Sequence, residues 1–230
     1  MRKTSFLAGF LLLVLTTTGQ AEDAKPFITN ADVDLTAILP PPPANDSAAT
    51  KAELAEVLTL QLTRTPEMEA RAKADAEENV WRFTDVMGPK FTKEALPKLD
   101  AFFERVVATE GAVVDPAKDV WKRPRPHMLS DLVKPIVKPS TSGSWPSGHT
   151  TLGTMMGIVL SDMVPEKRTE IMARAWEYGH NRVVAGIHYP SDIEMGRISG
   201  AVIASNLQHN AEFETEYAAA KAELRSDLGM

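Results

Sequence analysis

Helix start signals recur along this sequence, and they constrain the fold more than any other feature. Thr65, Pro66 and Glu67 form one of them: a hydroxyl N-cap, a proline at the first helical position and an acidic first turn. Thr50 and Glu53 have the spacing of a capping box. Strand patterns are weak throughout the chain. The sequence therefore predicts an all-α fold, a single compact helical domain whose functional residues lie in loops and at helix ends.

The same signals predict where the helices lie. Leu54, Val57 and Leu58 fall on one face of a helix that starts at Thr50. We expect the other helices over residues 66–86, 97–110, 150–163 and 165–182, from residue 190 onward, and over 211–227. Residues 111–147 are rich in proline and basic residues, so we expect a long loop there. Long loops in compact domains are often functional.

The N-terminus has the build of a secretory signal peptide. Two basic residues precede an apolar run of about ten residues, Phe6–Leu15, and Ala21 is a small residue suited to cleavage. The run is short for a spanning helix, which needs about 20 apolar residues; an uncleaved anchor is the alternative. We expect an exported, periplasmic protein with no membrane span after signal removal. Its predicted segments are a signal peptide at 1–21, a Pro-rich N-terminal arm at 22–49 and a helical domain at 50–230.

Composition excludes several classes of function. The chain has 230 residues, no cysteine and a formal net charge of −6. The lack of cysteine excludes disulfides, thiolate metal sites and a cysteine nucleophile. A net negative chain does not offer the basic field that nucleic-acid backbones require, so we expect no specific nucleic-acid partner.

The predicted loop carries a basic cluster. Lys118 lies seven residues before Arg125, and Pro126 follows directly. Arg123 forms a second Arg-Pro pair but has no lysine at that spacing. An ammonium and a guanidinium together suit an oxyanion, the first as a point charge and the second as a planar fork. The alternative interpretation is a solvated basic loop.

A second cluster comes directly before a predicted helix, where Ser147, Gly148 and His149 follow Pro146. The glycine lets backbone N–H groups approach a ligand, and a helix N-terminus favours negative charge. The histidine is placed to exchange a proton with a group bound there. The alternative is a plain turn with an N-cap and an incidental histidine.

The third cluster contains Arg182, His188 and Asp192. A carboxylate can hold one nitrogen of an imidazole and leave the other as a nucleophile. The alternative is a helix end with a satisfied histidine. Together, the three clusters supply what phosphoryl transfer through a phosphohistidine needs: cations for the phosphate, a nucleophile and a proton donor. Guanidinium and ammonium groups supply the positive charge, so we expect no metal and no cofactor.

These clusters, in this order, resemble the signature of the type-2 phosphatidic acid phosphatase superfamily: K-x6-RP, PSGH and SR-x5-H-x3-D. Residues 118–192 carry this likeness. Residues 40–66 also resemble bacterial class A non-specific acid phosphatases, so the likeness extends over most of the mature chain. One residue departs from the signature, because Asn181 stands where the family has serine. We expect Asn181 to alter how Arg182 is held, or how the edge of the pocket is shaped, rather than to abolish activity.

The resemblance implies a role for each matching residue. His188 is the implied nucleophile, Asp192 orients it, and His149 is the general acid and then the base. The residues implied to bind the substrate phosphate are Lys118, Arg125, Ser147, Gly148 and Arg182. The implied enzyme is an exported, metal-independent acid phosphatase that hydrolyses phosphate monoesters of broad specificity. Some members also transfer the phosphoryl group to alcohols, and homo-oligomers, often dimers, are usual among them.

Other functions share part of this pattern. A vanadium-dependent haloperoxidase has the same anion-binding motifs, but its chain is usually much longer. A membrane lipid phosphatase needs several spanning helices, for which the sequence gives no pattern. A periplasmic phosphate-binding protein does not require two histidines and an aspartate. A purely structural helical domain leaves the three ordered motifs as coincidence.

Overall fold

The computed structural model describes residues 24–230, and every regular element in this range is helical. The prediction of an all-α fold is confirmed, while the signal peptide predicted at residues 1–21 lies outside the described range. None of the helices in residues 24–230 is both long and apolar enough to cross a membrane. The helices are α1 (Leu35–Ile38), α2 (Ala48–Thr63), α3 (Pro66–Ala74), α4 (Thr84–Met87), α5 (Pro97–Trp121), α6 (Pro126–Leu129), α7 (Gly148–Met163), α8 (Arg168–Val184), α9 (Pro190–Leu207) and α10 (Ala211–Leu228). Short 3-10 helices occupy Val80–Phe83 and Pro165–Lys167.

Helix α7 is the centre of the fold. Ser147 caps its N-terminus, accepting a hydrogen bond from the N–H of Thr150 at 3.3 Å. Most of its side chains are buried, and it packs against both α8 and α9. A Cβ added to Gly153 would lie 2.6 Å from the ring of Tyr178 on α8, and one added to Gly200 of α9 would lie 2.6 Å from the α7 backbone. These close approaches pack the N-terminal half of α7 against the second half of α8 and the middle of α9.

Helix α5 is longer than the sequence predicts. The predicted end at residue 110 is wrong, since the helix continues through Pro116 to Trp121 and the loop starts only after it. A proline inside a helix leaves the carbonyl four residues earlier without its usual partner and costs about 3 kcal/mol. Here that carbonyl, of Ala112, accepts a hydrogen bond from the N–H of Asn30 at 3.2 Å. Buried apolar side chains also continue along the same face, so packing offsets the cost of the proline.

Helices α2 and α3 also have boundaries that differ from the prediction. Helix α2 begins at Ala48 rather than at Thr50, because Ser47 is the N-cap and its Oγ accepts a hydrogen bond from the N–H of Thr50 at 3.1 Å. The single helix predicted over residues 66–86 is interrupted. It ends before Asp75, whose fully buried carboxylate pairs with the guanidinium groups of Arg82 and Arg174.

Residues 24–47 run along α5 and then reach the loop that precedes α7. The N–H of Phe27 donates to the hydroxyl of Thr109 on α5 at 2.9 Å. Farther along, the indole N–H of Trp145 donates to the carbonyl of Pro40 at 3.2 Å. The proline-rich stretch therefore contacts the segment that carries the second sequence motif. The division of the chain into an arm and a helical domain stays a prediction.

Candidate active site

Three segments meet at the N-terminal end of α7: the end of α5 with the loop after it, the start of α7 itself, and the turn between α8 and α9. The N–H of Ser147 donates to the carbonyl of Asp192 at 3.0 Å, which ties the second motif to the third. Six predicted site residues line one cavity of about 270 Å³ at this point: Lys118, Arg125, Gly148, His149, Arg182 and His188. The other two, Ser147 and Asp192, are buried behind its wall. The structure therefore brings all eight together.

His188 is held between a carboxylate and a guanidinium. Its Nδ1 lies 3.1 Å from Asp192 Oδ2, and its Nε2 lies 3.0 Å from Arg125 Nη1. Because a guanidinium only donates, Nε2 is the unprotonated nitrogen, and Nδ1 carries the proton toward Asp192. The lone pair of Nε2 therefore faces the guanidinium of Arg125.

The surroundings of His188 also fix its charge. Burial lowers the pKa of His188 well below its usual value, and the positive charges of Arg125, Arg182 and Lys118 lower it further. A histidine with a lowered pKa gives up its proton at lower pH, so His188 stays neutral in mildly acidic solution. The neutral imidazole is the nucleophilic form.

Asp192 is fully buried, and its carboxylate is surrounded by donors. Oδ1 accepts from Arg123 Nη1 at 2.7 Å, and Oδ2 accepts from the N–H of Tyr189 at 2.9 Å. Burial raises the pKa of Asp192 to about 7, although Arg123 and the Tyr189 N–H act in the opposite direction. Oxygens that receive only donors suit the ionised form, so these contacts favour the carboxylate.

Arg123 is a supporting residue that the sequence motifs did not identify. Its side chain is 1% exposed. Besides Asp192, it donates to Glu53 Oε2 at 2.7 Å and to the hydroxyl of Ser191 at 2.9 Å. Glu53 also accepts from the N–H of Ser191 at 2.6 Å. Arg123 therefore ties α2 to the start of α9, and the second Arg-Pro pair was the only signal of it in the sequence.

Lys118, Arg125 and Arg182 bring three positive charges to the cavity. Burial lowers the pKa of Arg182 to about 10 and also lowers the pKa of Arg125. A guanidinium whose pKa is about 10 is still fully charged in acidic solution. Because buried charges have lost part of their hydration, a bound oxyanion would compensate them better than it would compensate exposed ones.

Close packing explains the glycine of the second motif. A Cβ at Gly148 would lie 2.6 Å from Glu110 Oε1 and 2.9 Å from Lys118 Nζ, so a side chain there would displace both groups. The neighbouring Ser147 is turned inward, and its Oγ accepts from the hydroxyl of Thr150 at 2.9 Å. Since Ser147 does not line the cavity, its contact with a phosphate stays a prediction.

His149 faces two acceptors on the loop between α3 and the first 3-10 helix. Its Nδ1 lies 2.8 Å from Glu78 Oε1, and its Nε2 lies 3.1 Å from the carbonyl of Ala76. Two acceptors require a proton on each ring nitrogen, so these contacts fit the imidazolium, the form that can donate a proton. The hydrogen bond from His149 lowers the pKa of Glu78. No sequence pattern pointed to Glu78.

The loop that contains Glu78 is held against α8 by buried polar contacts. The carboxylate of Asp75 accepts from Asn181 Nδ2 at 2.7 Å and pairs with Arg174. The carbonyl of Asp75 accepts from Arg182 Nη1 at 3.3 Å. Asn181, the residue that departs from the family signature, therefore anchors the loop that faces His149. The neighbouring Arg182 donates a hydrogen bond to the same loop.

The described part of the chain offers no cluster of three or more histidine, aspartate or glutamate side chains arranged for a metal ion. Each histidine of the cavity is instead paired with one carboxylate, His188 with Asp192 and His149 with Glu78. The expectation of no metal and no cofactor stays a prediction.

Comparison with known proteins agrees with this helical fold. The PAP2 superfamily profile matches residues 105–212, the range that contains all eight predicted site residues. The helical fold and this match point to the PAP2 superfamily. A non-specific acid phosphatase of Salmonella typhimurium is 32% identical over an alignment that covers 96% of this chain and 93% of the relative. One of Providencia stuartii is 30% identical, covering 83% of this chain and 81% of the relative. The chain belongs to the non-specific acid phosphatases of the PAP2 superfamily.

Two solved structures share the fold. A bacterial vanadium-dependent iodoperoxidase superposes with a TM-score of 0.59 at 20% identity, covering 80% of this chain and 55% of that chain. A transmembrane PAP2 type phosphatidylglycerolphosphate phosphatase from Bacillus subtilis superposes with a TM-score of 0.53 at 18% identity, covering 79% and 92%. At such identities the likeness concerns the fold alone. The relatives of 30–32% identity favour the acid phosphatase over the alternatives raised by the sequence.

Proposed function

We propose that this acid phosphatase hydrolyses phosphate monoesters of broad specificity through a phosphohistidine intermediate, without a metal, after export to the periplasm. The observation that carries the proposal is the state of His188. Its Nε2 is unprotonated and lies 3.0 Å from Arg125 in a cavity that Lys118 and Arg182 also line. A neutral nucleophile beside an oxyanion site is what phosphoryl transfer to a side chain requires.

In the first step, Nε2 of His188 attacks phosphorus in line with the leaving oxygen. The N–P bond forms while the ester P–O bond breaks, and the electron pair goes to the leaving oxygen. His149 donates a proton to that oxygen, so the alcohol departs neutral. The charges of Lys118, Arg125 and Arg182 stabilise the three equatorial oxygens.

In the second step, the roles of the histidines reverse. His149, now neutral, accepts a proton from a water molecule as the water oxygen attacks phosphorus. The N–P bond breaks, its electron pair returns to His188, and phosphate is released. Glu78 holds the His149 ring at Nδ1 in both steps. When an alcohol takes the place of water, the same step produces phosphotransfer.

Arg125 changes partners during this cycle. It donates to Nε2 of His188 at 3.0 Å and to the carbonyl of Ile187 at 3.1 Å. Nε2 needs its lone pair for attack, so the guanidinium exchanges this contact for a phosphate oxygen when substrate binds. Until then, the hydrogen bond keeps the buried nitrogen satisfied.

Catalysis in acidic solution requires a protonated His149 and a neutral His188. Low pH supplies the proton that His149 must donate. The lowered pKa of His188 keeps the nucleophile neutral under the same conditions. A neutral nucleophile and a proton donor held in different surroundings of one cavity are typical of acid–base pairs in enzymes.

The walls of the cavity support broad specificity. The groups that suit a phosphate line its inner part, whereas the remaining wall comes largely from an exposed loop that includes Lys138 and Ser140. A leaving group would lie against this open side and meet few fixed contacts. The cavity would therefore recognise the phosphate group of the substrate and not its alcohol part.

The test of the intermediate is its partition between water and an acceptor alcohol. Phosphate monoesters with different leaving groups are hydrolysed at one fixed glycerol concentration. The ratio of glycerol phosphate to inorganic phosphate should be the same for all of them, because every substrate passes through one phosphoenzyme. A ratio that follows the leaving group would show direct attack on the substrate and contradict the proposal. EDTA should leave the rates unchanged, and vanadate should inhibit them.

Export is supported by the signal-peptide pattern at residues 1–21. The intact mass of the chain recovered from the periplasmic fraction should correspond to a start at Glu22. A mass that includes residues 1–21 would contradict cleavage. We also keep the homo-oligomer as a proposal, which light scattering on the mature enzyme measures.

A further inference from the structure

A carboxyl group lies beneath the cavity and has no part in the steps above. Glu110 is on α5, two turns before Lys118, and 6% of the residue is exposed. Its Oε1 is buried and has no hydrogen-bond partner among residues 24–230. Leaving a buried polar atom unpaired costs stability, so this position calls for a functional explanation.

Glu110 reaches the cavity wall at Gly148. From the place where a Cβ of Gly148 would lie, Glu110 Oε1 is 2.6 Å away and Lys118 Nζ is 2.9 Å away. The carboxyl and the ammonium therefore converge on one point, with no side chain between them. Gly148 and Lys118 both line the cavity, so Glu110 lies directly behind the surface that would face a phosphate.

The charges around Glu110 act on it in opposite directions. Burial raises the pKa of Glu110 to about 7; Lys118 lowers this pKa, while Glu78 from the α3 loop and Asp115 from α5 raise it. His149 is the titratable group on the facing end of α7. Glu110 is therefore neutral in acidic solution and ionises near neutrality.

We propose that Glu110 is a positioning residue that confines tight phosphate binding to acidic pH by acting through Lys118. As a neutral acid, it leaves Asp115, whose Oδ1 lies 2.9 Å from Lys118 Nζ, as the one carboxylate paired with that ammonium among residues 24–230, so the ammonium can still attract the phosphate. As a carboxylate, it draws that ammonium toward itself and repels the phosphate dianion. The inference rests on the proposed phosphate site and adds the group that sets its pH range.

The test compares the wild type with Glu110→Gln, using inorganic sulfate as a competitive inhibitor. Sulfate is a tetrahedral dianion whose charge stays constant from acidic to mildly alkaline pH, unlike that of phosphate. At about pH 5 both proteins should have the same inhibition constant. By about pH 8 the wild type should have lost about tenfold more affinity than Glu110→Gln, since a carboxyl with a pKa near 7 is then about nine-tenths ionised.

Two further variants make the outcome decisive. Glu104→Gln removes the same charge from an exposed position on α5 and should keep the pH dependence of the wild type. Glu110→Met is a second uncharged variant. It should show the same smaller loss of sulfate affinity with rising pH, even where Glu110→Gln folds poorly. Parallel profiles in the wild type and both Glu110 variants would overturn the inference. If Lys118→Ala binds sulfate as tightly as the wild type, the proposed phosphate site itself fails.

Discussion

Replacing His188 with alanine is expected to lower kcat by about four orders of magnitude or more, since nucleophile removal in comparable enzymes has effects of this size. The imidazole is buried and held at both nitrogens, so no neighbouring side chain can take its place. Turnover of p-nitrophenyl phosphate in acidic solution measures the loss. With radiolabelled substrate, the wild type should retain phosphate after an alkaline quench, in which phosphohistidine survives, and His188→Ala should retain none.

A matched variant separates this effect from general disturbance. His180 lies on α8, is exposed, and belongs to none of the sequence motifs, so His180→Ala should keep wild-type kcat and labelling. The buried ion pair between Asp192 and Arg123 stays intact in both variants, so both should remain folded at the assay temperature. Labelling of His188→Ala at the wild-type level would show that another residue is the nucleophile.

Sequence patterns identify the groups that face the cavity better than the groups that support them. His188 and Asp192 are four residues apart across the start of α9, a local spacing that lets Nδ1 reach the carboxylate. Local spacing also predicts the start of α3, because the Thr65 hydroxyl accepts from the N–H of Met68 as an N-cap should. These features depend on a few neighbouring residues and on helix geometry.

The supporting contacts join residues that are far apart in the chain. Arg123 and Glu53 are 70 residues apart, and Asp75 and Asn181 are 106 apart. No periodicity or motif encodes such a pair, since it exists only once the helices have packed. Glu78 escaped prediction for the same reason, because only the folded α3 loop brings it to the histidine of α7.

Tertiary contacts also explain the wrong end predicted for α5. Pro116 is a strong local signal to stop a helix. The N–H of Asn30, from a segment far earlier in the chain, satisfies the carbonyl that the proline leaves unpaired. The extension has a functional consequence, because it carries Lys118 into the wall of the cavity.

The arginine that supports Asp192 should be important for folding as well as for catalysis. Arg123→Met is expected to lower the free energy of unfolding by about 3–5 kcal/mol, the usual cost of removing one partner from a buried ion pair. Two carboxylates, Asp192 and Glu53, would lose their shared cation while staying largely buried. Because Asp192 also holds Nδ1 of His188, kcat should fall in the fraction that remains folded. Denaturant unfolding and acid-pH turnover measure the two effects.

Two comparisons test whether the unpaired carboxylates cause the loss of unfolding free energy. Adding Glu53→Gln to Arg123→Met removes one of the two unpaired carboxylates, so it should recover part of the lost stability but not the lost kcat. Arg168→Met breaks an ion pair whose partners are 59% and 42% exposed, and it should cost less than about 1 kcal/mol. If Arg123→Met costs no more than Arg168→Met, the cluster does not hold Asp192 as a buried charge. The orientation of His188 would then depend on the Tyr189 N–H and on the start of α9 alone.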